Sequence, residues 1–177
     1  MSLKSSPHRY GAVAIAIHWL SALAVIAMLA SGQVMDMAGD PALVSRILPI
    51  HVLLGVVLGL LTLLRIVWFL AFDRRPRPHG PAGLQNALAR IVHLALYAAI
   101  LVMVASGVAM VTLAGGLPLV LASAALPDFS TLAPYGVHGL VSRLLLVLAL
   151  GHIGAALWHH FVQRDGLLAR MGLGKGG

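Results

Sequence analysis

The chain has 177 residues, of which 60% are hydrophobic and 10% charged, against about 25% charged in a soluble domain. With a mean hydropathy of +0.96, this composition excludes a water-soluble globular protein and places the chain in a lipid bilayer. The net charge of +7 comes with no basic helix face or aromatic platform for nucleic acid, and the lack of cysteine excludes disulfides, thiolate metal sites, iron–sulfur clusters and c-type haem attachment.

A helix needs about 20 apolar residues to cross the hydrocarbon core. The first such run is about 11–35, GAVAIAIHWLSALAVIAMLASGQVM. It is longer than a signal-peptide core and is interrupted by a histidine, so it reads as a retained helix. The second run is about 47–71 and the third about 87–114. The fourth is about 136–162. Between the second and third lies a proline-broken loop, DRRPRPHGP. Between the third and fourth, 115–135 reads as an external loop whose apolar middle forms a short interfacial helix. No internal repeat and no soluble domain is evident. Lys4, Arg9, Arg74, Arg75, Arg77, Arg90, Arg164, Arg170 and Lys175 cluster on one side. Arg46 and the acids Asp36, Asp40 and Asp128 lie on the other. Excess Lys and Arg mark cytoplasmic loops. The expectation is an all-α protein: one membrane domain, 1–177, built as a four-helix transmembrane bundle with both termini cytoplasmic.

Five histidines lie inside the apolar runs: His18, His51, His93, His138 and His152. An ionisable side chain in a membrane helix is costly and marks function by default. The bland alternative, a neutral imidazole bonded between helices, suits one isolated histidine better than several at matched depths. His138 and His152 share the fourth helix and are separated by about four helical turns. That spacing leaves them about 40° apart on one face and about 21 Å apart along the axis. His18 matches His152 in depth near the inside, and His51 matches His138 near the outside. Two bis-histidine haems, one above the other, satisfy this arrangement, because a neutral imidazole ligates iron without adding charge in lipid. Gly55, Gly59, Gly151 and Gly154 are expected to line the haem faces or to serve close helix packing.

Arg65 follows His51 by the same interval of about four turns, which puts it at the depth of the inner haem. It is expected either to pair with a haem propionate or to snorkel to the surface. Arg143, five residues after His138, is expected to meet an outer propionate or to line an access path for an anion, with outward snorkelling as the plain alternative. His93 has no histidine partner in this scheme. Its candidate roles are a bond to a propionate or quinone oxygen, or replacement of His18 or His152 as a ligand. His159 is a candidate proton relay to a quinone. For His159, His160, His8 and His79 a solvated interfacial side chain is the favoured reading. Trp19, Trp68, Tyr97, Tyr135 and Trp158 fit an aromatic belt.

With IHWLSAL, IHVLLG, LLRIVW, RIVHLALYAAILVMVASGVAM and the closing VHGLVSRLLLVLALGHIGAALWHHFVQRDGLLARM on the page, the chain resembles the bacterial cytochrome b561 family over nearly its whole length. The resemblance implies a four-helix membrane bundle with two haem b groups. Carried onto matching positions, the iron ligands are His18, His51, His138 and His152. It also implies electron exchange with quinone in the bacterial inner membrane. Some members act as superoxide oxidases passing electrons from external superoxide to ubiquinone, and related proteins anchor hydrogenases and formate dehydrogenases. The apolar outer loop with its single charge, Asp128, and the presence of Arg143 depart from the pattern where a donor would approach.

The leading expectation is therefore a di-haem quinone oxidoreductase embedded in membrane lipid, with superoxide as the most specific donor. A cytochrome subunit docked to a dehydrogenase is the alternative within electron transfer. A histidine-based metal transporter is the alternative outside it. That class usually needs intramembrane carboxylates, and all five acids here lie in loops or at helix ends.

Overall fold

In lipid each backbone N–H must find its acceptor within its own segment, so long apolar runs fold as helices. The computed structural model describes residues 2–77, 83–122 and 128–174, and every regular element among them is helical. Helix α1 spans Ala12–Met37 and α2 spans Pro41–Val67, closed by a π-helical turn at Trp68–Phe72. Helix α3 spans Leu84–Leu113 and α4 spans Leu117–Ala122. Helix α5 spans Ala133–Trp158 and ends in a second π-helical turn at His159–Gln163. A short α6 follows at Leu167–Arg170. Four of these segments are long and apolar enough to cross a membrane. Helix α2 starts ahead of the apolar run, because Asp40 caps it by accepting from Ala42 N–H at 2.9 Å and Pro41 occupies its first turn. In the outer connection, α4 and a 3-10 turn at Phe129–Thr131 are present, while 123–127 lie outside the described residues, as do His79 and Lys175.

Antiparallel hairpins α1–α2 and α3–α5 form the bundle, and α2 packs on α3. Ala24, Leu58, Ala99, Ile100 and Leu145 make its buried apolar centre. Each lies about two turns from a histidine of its own helix. The centre is therefore a midplane layer with histidines above and below it. Leu20, Leu23, Leu60, Leu94 and Val147 lie exposed on the outside, as a lipid-facing surface requires.

The two hairpins repeat one another, which corrects the expectation of no repeat. Helix α1 matches α3 without a gap through His18/His93, Ala24/Ala99, Met28/Met103, Ala30/Ala105, Ser31/Ser106, Gly32/Gly107 and Met35/Met110. Helix α2 matches α5, also without a gap, through His51/His138, Leu53/Leu140, Leu58/Leu145, Leu61/Leu148, Leu63/Leu150 and Ile66/Ile153, with Arg65 opposite His152. Both second helices end in π-helical turns. The outer connection of the second hairpin, which holds α4, is the longer of the two, so no single period runs through the chain.

One end of the bundle gathers both termini and the α2–α3 connection. Arg170 donates from Nε to His8 O at 2.9 Å and from Nη2 to Arg77 O at 2.7 Å. Arg77 N–H bonds Pro7 O, and Trp19 Nε1 bonds Met171 O. Lys4, Arg9, Arg74, Arg75, Arg77, Arg164 and Arg170 belong to this end. Asp36, Asp40, Arg46 and Asp128 belong to the other. The N-terminal segment folds back over Gly11, where a Cβ would sit 2.4 Å from Leu3 O, so only glycine admits it.

Asp73 fastens this segment. It is buried and accepts from Ser5 N–H, Ser5 Oγ, Arg74 N–H and the indole of Trp68. Trp68 is thus a structural donor and not a free member of an aromatic belt. Burial pushes the Asp73 carboxyl up, but the bonds from Ser5, Arg74 and Trp68 favour the anion more, and the net shift is downward from 3.8. A depressed carboxyl contributes stability that is complete above its ordinary value and is lost as pH falls through the lowered one. Proteolytic protection of residues 2–11 should therefore stay level from neutral pH down to about 4 and fall below it. Asp73→Ala should remove that protection at neutral pH, at a cost of about 1–3 kcal/mol. Limited proteolysis in detergent across pH checks both.

Candidate functional site

Imidazole rings meet in two layers, one on each side of the apolar midplane. In the layer at the loop end away from the termini, His51 of α2 faces His138 of α5 with ring centres 6.5 Å apart. In the layer nearer the termini, His18 of α1 faces His152 of α5 at 6.3 Å. An imidazole nitrogen bonds a transition metal at about 2.0–2.1 Å, and ring bonds of about 1.35 Å put it about 1.15 Å from its ring centre, so two trans imidazoles on one metal have centres about 6.3 Å apart. Both pairs have that spacing. Among the described residues no cluster of three or more His, Cys, Asp or Glu could hold a bare metal ion. Pairs suit a metal that brings its other ligands with it, as a porphyrin iron does.

The outer rings are held by serines. His51 Nδ1 meets Ser31 Oγ at 2.7 Å, and His138 Nδ1 meets Ser106 Oγ at 2.9 Å. Neither serine was singled out in the sequence, where a short hydroxyl in an apolar helix normally bonds its own backbone. The signal that finds them is the repeated Ala-Ser-Gly, which stands at one and the same interval after His18 on α1 and after His93 on α3.

The inner layer is more polar and less regular. Arg65 Nη1 donates to His18 Nδ1 at 2.8 Å, its Cζ lies 5.8 Å from the ring centre of Tyr97, and its Nε is buried without a partner. Arg65 is therefore turned into the bundle and does not snorkel. Tyr97 lies well inside α3, beside Arg65, and leaves the aromatic belt predicted for it. His93 bonds Ala89 O through Nδ1, and its ring centre lies 5.1 Å from that of His152, too close for a metal between them at trans spacing. A buried cation with a free N–H calls for an anion, and a porphyrin carboxylate is one. The residues present fit haem in both layers.

Other predicted residues fall elsewhere. His159 begins the π-helical turn, and its Nδ1 is held by Asp165 Oδ2. Arg143 lies deeper in α5 than expected because the helix begins at Ala133. It is exposed and turned about 140° from His138 around the helix. That orientation takes it away from the outer pair, so the contact with an outer propionate is not supported. Arg46, exposed near the start of α2, is a cation at the end of the bundle away from the termini. Gly55 and Gly59 serve helix packing, since their Cβ positions lie 3.3 Å from Met28 Cε and 3.0 Å from Val104 Cγ1. Gly151 and Gly154 face open space. Gly32 and Gly107 lie beside the rings, where an added Cβ would be 3.7 Å from His51 Cε1 and 3.5 Å from His138 Cε1.

The family model for prokaryotic cytochrome b561 matches residues 9–174. Cytochrome b561 homolog 2 of Escherichia coli (strain K12) is 30% identical over 187 residues, covering 99% of this chain and 96% of that protein.

The close approach of α2 to α3 at Gly59 gives a direct test of the bundle. Gly59→Leu should destabilise by about 1–3 kcal/mol through overpacking against Val104. Val104→Ala in the same chain should recover part of the loss. Thermal unfolding of the three proteins in one detergent measures it.

Proposed function

The chain belongs to the prokaryotic cytochrome b561 family and is a membrane b-type cytochrome of electron transfer, and on that premise we propose that it binds two haem b groups and passes electrons from an external one-electron donor to ubiquinone. The observation that carries this reading is the pair of imidazole couples at 6.3 and 6.5 Å. His51 and His138 are proposed to hold the outer haem, and His18 and His152 the inner one. Bound there, haem would supply reversible one-electron transfer. The end rich in Lys and Arg, which carries both termini, is proposed to face the cytoplasm of the bacterial inner membrane.

The chain's own residues would do the rest. Ligation through Nε2 puts the remaining ring proton of His18 on Nδ1. Arg65 has no acceptor atom, so it would then leave His18 and turn its guanidinium to a propionate. His93, bonded at Nδ1 to Ala89 O, presents its other nitrogen to the inner layer and is proposed to bond a quinone oxygen. The His159–Asp165 pair at the same end is proposed to deliver protons. With superoxide as donor, two anions oxidised to dioxygen supply two electrons, and two protons complete the quinol. At the outer face Arg46 is the better placed cation to attract an anionic donor, because Arg143 is turned away from the histidines.

A pyridine haemochrome assay should return two haems per chain, and one or none refutes the reading. His51→Ala and His138→Ala should each cost mainly the outer haem. His18→Ala and His152→Ala should each cost mainly the inner one. His93→Ala should keep both, and a haem lost there while His18→Ala retains two would move the ligand to α3.

Reduction by superoxide should be fast and should slow with added salt. Arg46→Leu should slow it more than Arg143→Leu does. Stopped-flow reduction at two ionic strengths decides this, and equal rates in wild type and Arg46→Leu end the idea of steering.

A further inference from the structure

The repeat places one Ser-Gly pair beside each outer histidine: Ser31 and Gly32 against His51, Ser106 and Gly107 against His138. A serine hydroxyl has a single proton. Ser31 Oγ donates its proton to Met28 O at 3.1 Å. Ser106 Oγ donates to Val102 O at 2.8 Å, with Met103 O at 3.0 Å. Each hydroxyl thus has a backbone carbonyl for its proton, an arrangement in which it accepts from the imidazole. In that arrangement Nδ1 of His51 and of His138 carries the ring proton, which leaves Nε2 bare on both rings. Ser106 is buried and Ser31 half-buried, so no water needs to compete for these bonds. The inner layer has the opposite polarity at one ring, where a donor-only arginine faces His18 Nδ1.

We propose that Ser31 and Ser106 are a matched pair of positioning residues that hold His51 and His138 in the Nδ1-protonated form with Nε2 turned towards one another, and that through these two bonds they set the electronic character of the outer haem. The inference rests on the haem reading above. An acceptor on Nδ1–H makes the imidazole a stronger electron donor and fixes its ring plane. Ferric iron gains more from that than ferrous iron, so the two hydroxyls lower the potential of the outer haem. Because they are equivalent in the repeat, their effects should be similar and should add.

The test uses the purified holoprotein in nanodiscs: wild type, Ser31→Ala, Ser106→Ala, the double variant, and Ser31→Thr and Ser106→Thr. Haem is counted, both redox components are titrated, and low-temperature electron paramagnetic resonance reports axial ring orientation. Each alanine variant should shift one redox component to higher potential and move its ferric signal, with the other component unmoved. The double variant should shift about twice as far, and the threonine variants should stay near wild type. Outer haem lost with alanine but kept with threonine supports the proposal equally. Alanine variants with both haems bound and both components unmoved overturn it, as does outer haem lost with alanine and threonine alike. If wild type holds fewer than two haems, or His51→Ala removes none, the haem reading itself has failed and the proposal falls with it. Two wild-type haems, with one lost on His51→Ala, leave the hydroxyls alone on trial.

Discussion

An imidazole in hydrocarbon has to satisfy both ring nitrogens, because no water is there to do so and an unpaired polar group in a low-dielectric interior is costly. That demand organises this bundle. Each ring in the two layers is occupied at Nδ1 or packed edge-on against a second ring. His51 and His138 use serines, His18 uses an arginine and His93 uses the carbonyl one turn before it. Once Nδ1 is committed to an acceptor, the other nitrogen has to find its partner across the bundle. At the outer layer both rings meet a serine at Nδ1 and lie 6.5 Å apart between centres. The bond to one nitrogen aims the other.

The repeat explains how four helices supply two layers. In each hairpin the first helix carries a histidine near one end and a serine near the other, His18 with Ser31 and His93 with Ser106. The second carries a histidine and, about four turns later, Arg65 or His152. The outer layer uses equivalent residues from both hairpins and is nearly symmetric. The inner layer cannot be, since Arg65 stands where symmetry asks for a second His152. That one difference lets His18 pair with His152 and leaves His93 outside the trans spacing. The midplane residues Leu58/Leu145 and Ala24/Ala99 are equivalent too, so the plug between the layers is shared evenly by the hairpins.

What the sequence made legible was depth. A spacing of about four turns puts two groups on one face, two layers apart, whatever the bundle's packing. The proximity of His18 to His152 and of His51 to His138 follows from it. Rotation about each helix axis was less legible, because packing decides it. Hence Gly55 and Gly59 contact Met28 and Val104 and no histidine, Arg143 is exposed, and Tyr97 stands beside Arg65. Ser31 and Ser106 were silent because serine in an apolar helix usually satisfies itself on the backbone. Here each does that and meets an imidazole Nδ1 as well. The repeat was hidden by the longer outer connection, which sets His138 farther along the chain from His93 than His51 is from His18.

The broken symmetry also gives the bundle a direction. Arg65 puts a guanidinium cation in the inner layer where the outer layer holds two neutral hydroxyls. At an effective dielectric of about 20, a unit charge about 6 Å from a redox centre stabilises an added electron by about 3 kcal/mol, and about 21 Å away by less than about 1 kcal/mol. The difference, about 2 kcal/mol, favours the electron in Arg65's own layer, and a propionate paired with the guanidinium cancels part of it. The proposed serine bonds act in the same sense from the other side, since an acceptor on Nδ1–H favours the oxidised state of a metal held by that imidazole. In the proposed di-haem protein both favour an electron moving from the serine-held layer to that of Arg65. The first arises from a single departure between two copies of one hairpin, an arginine in one where the other has a histidine, and the second from serines that both copies keep.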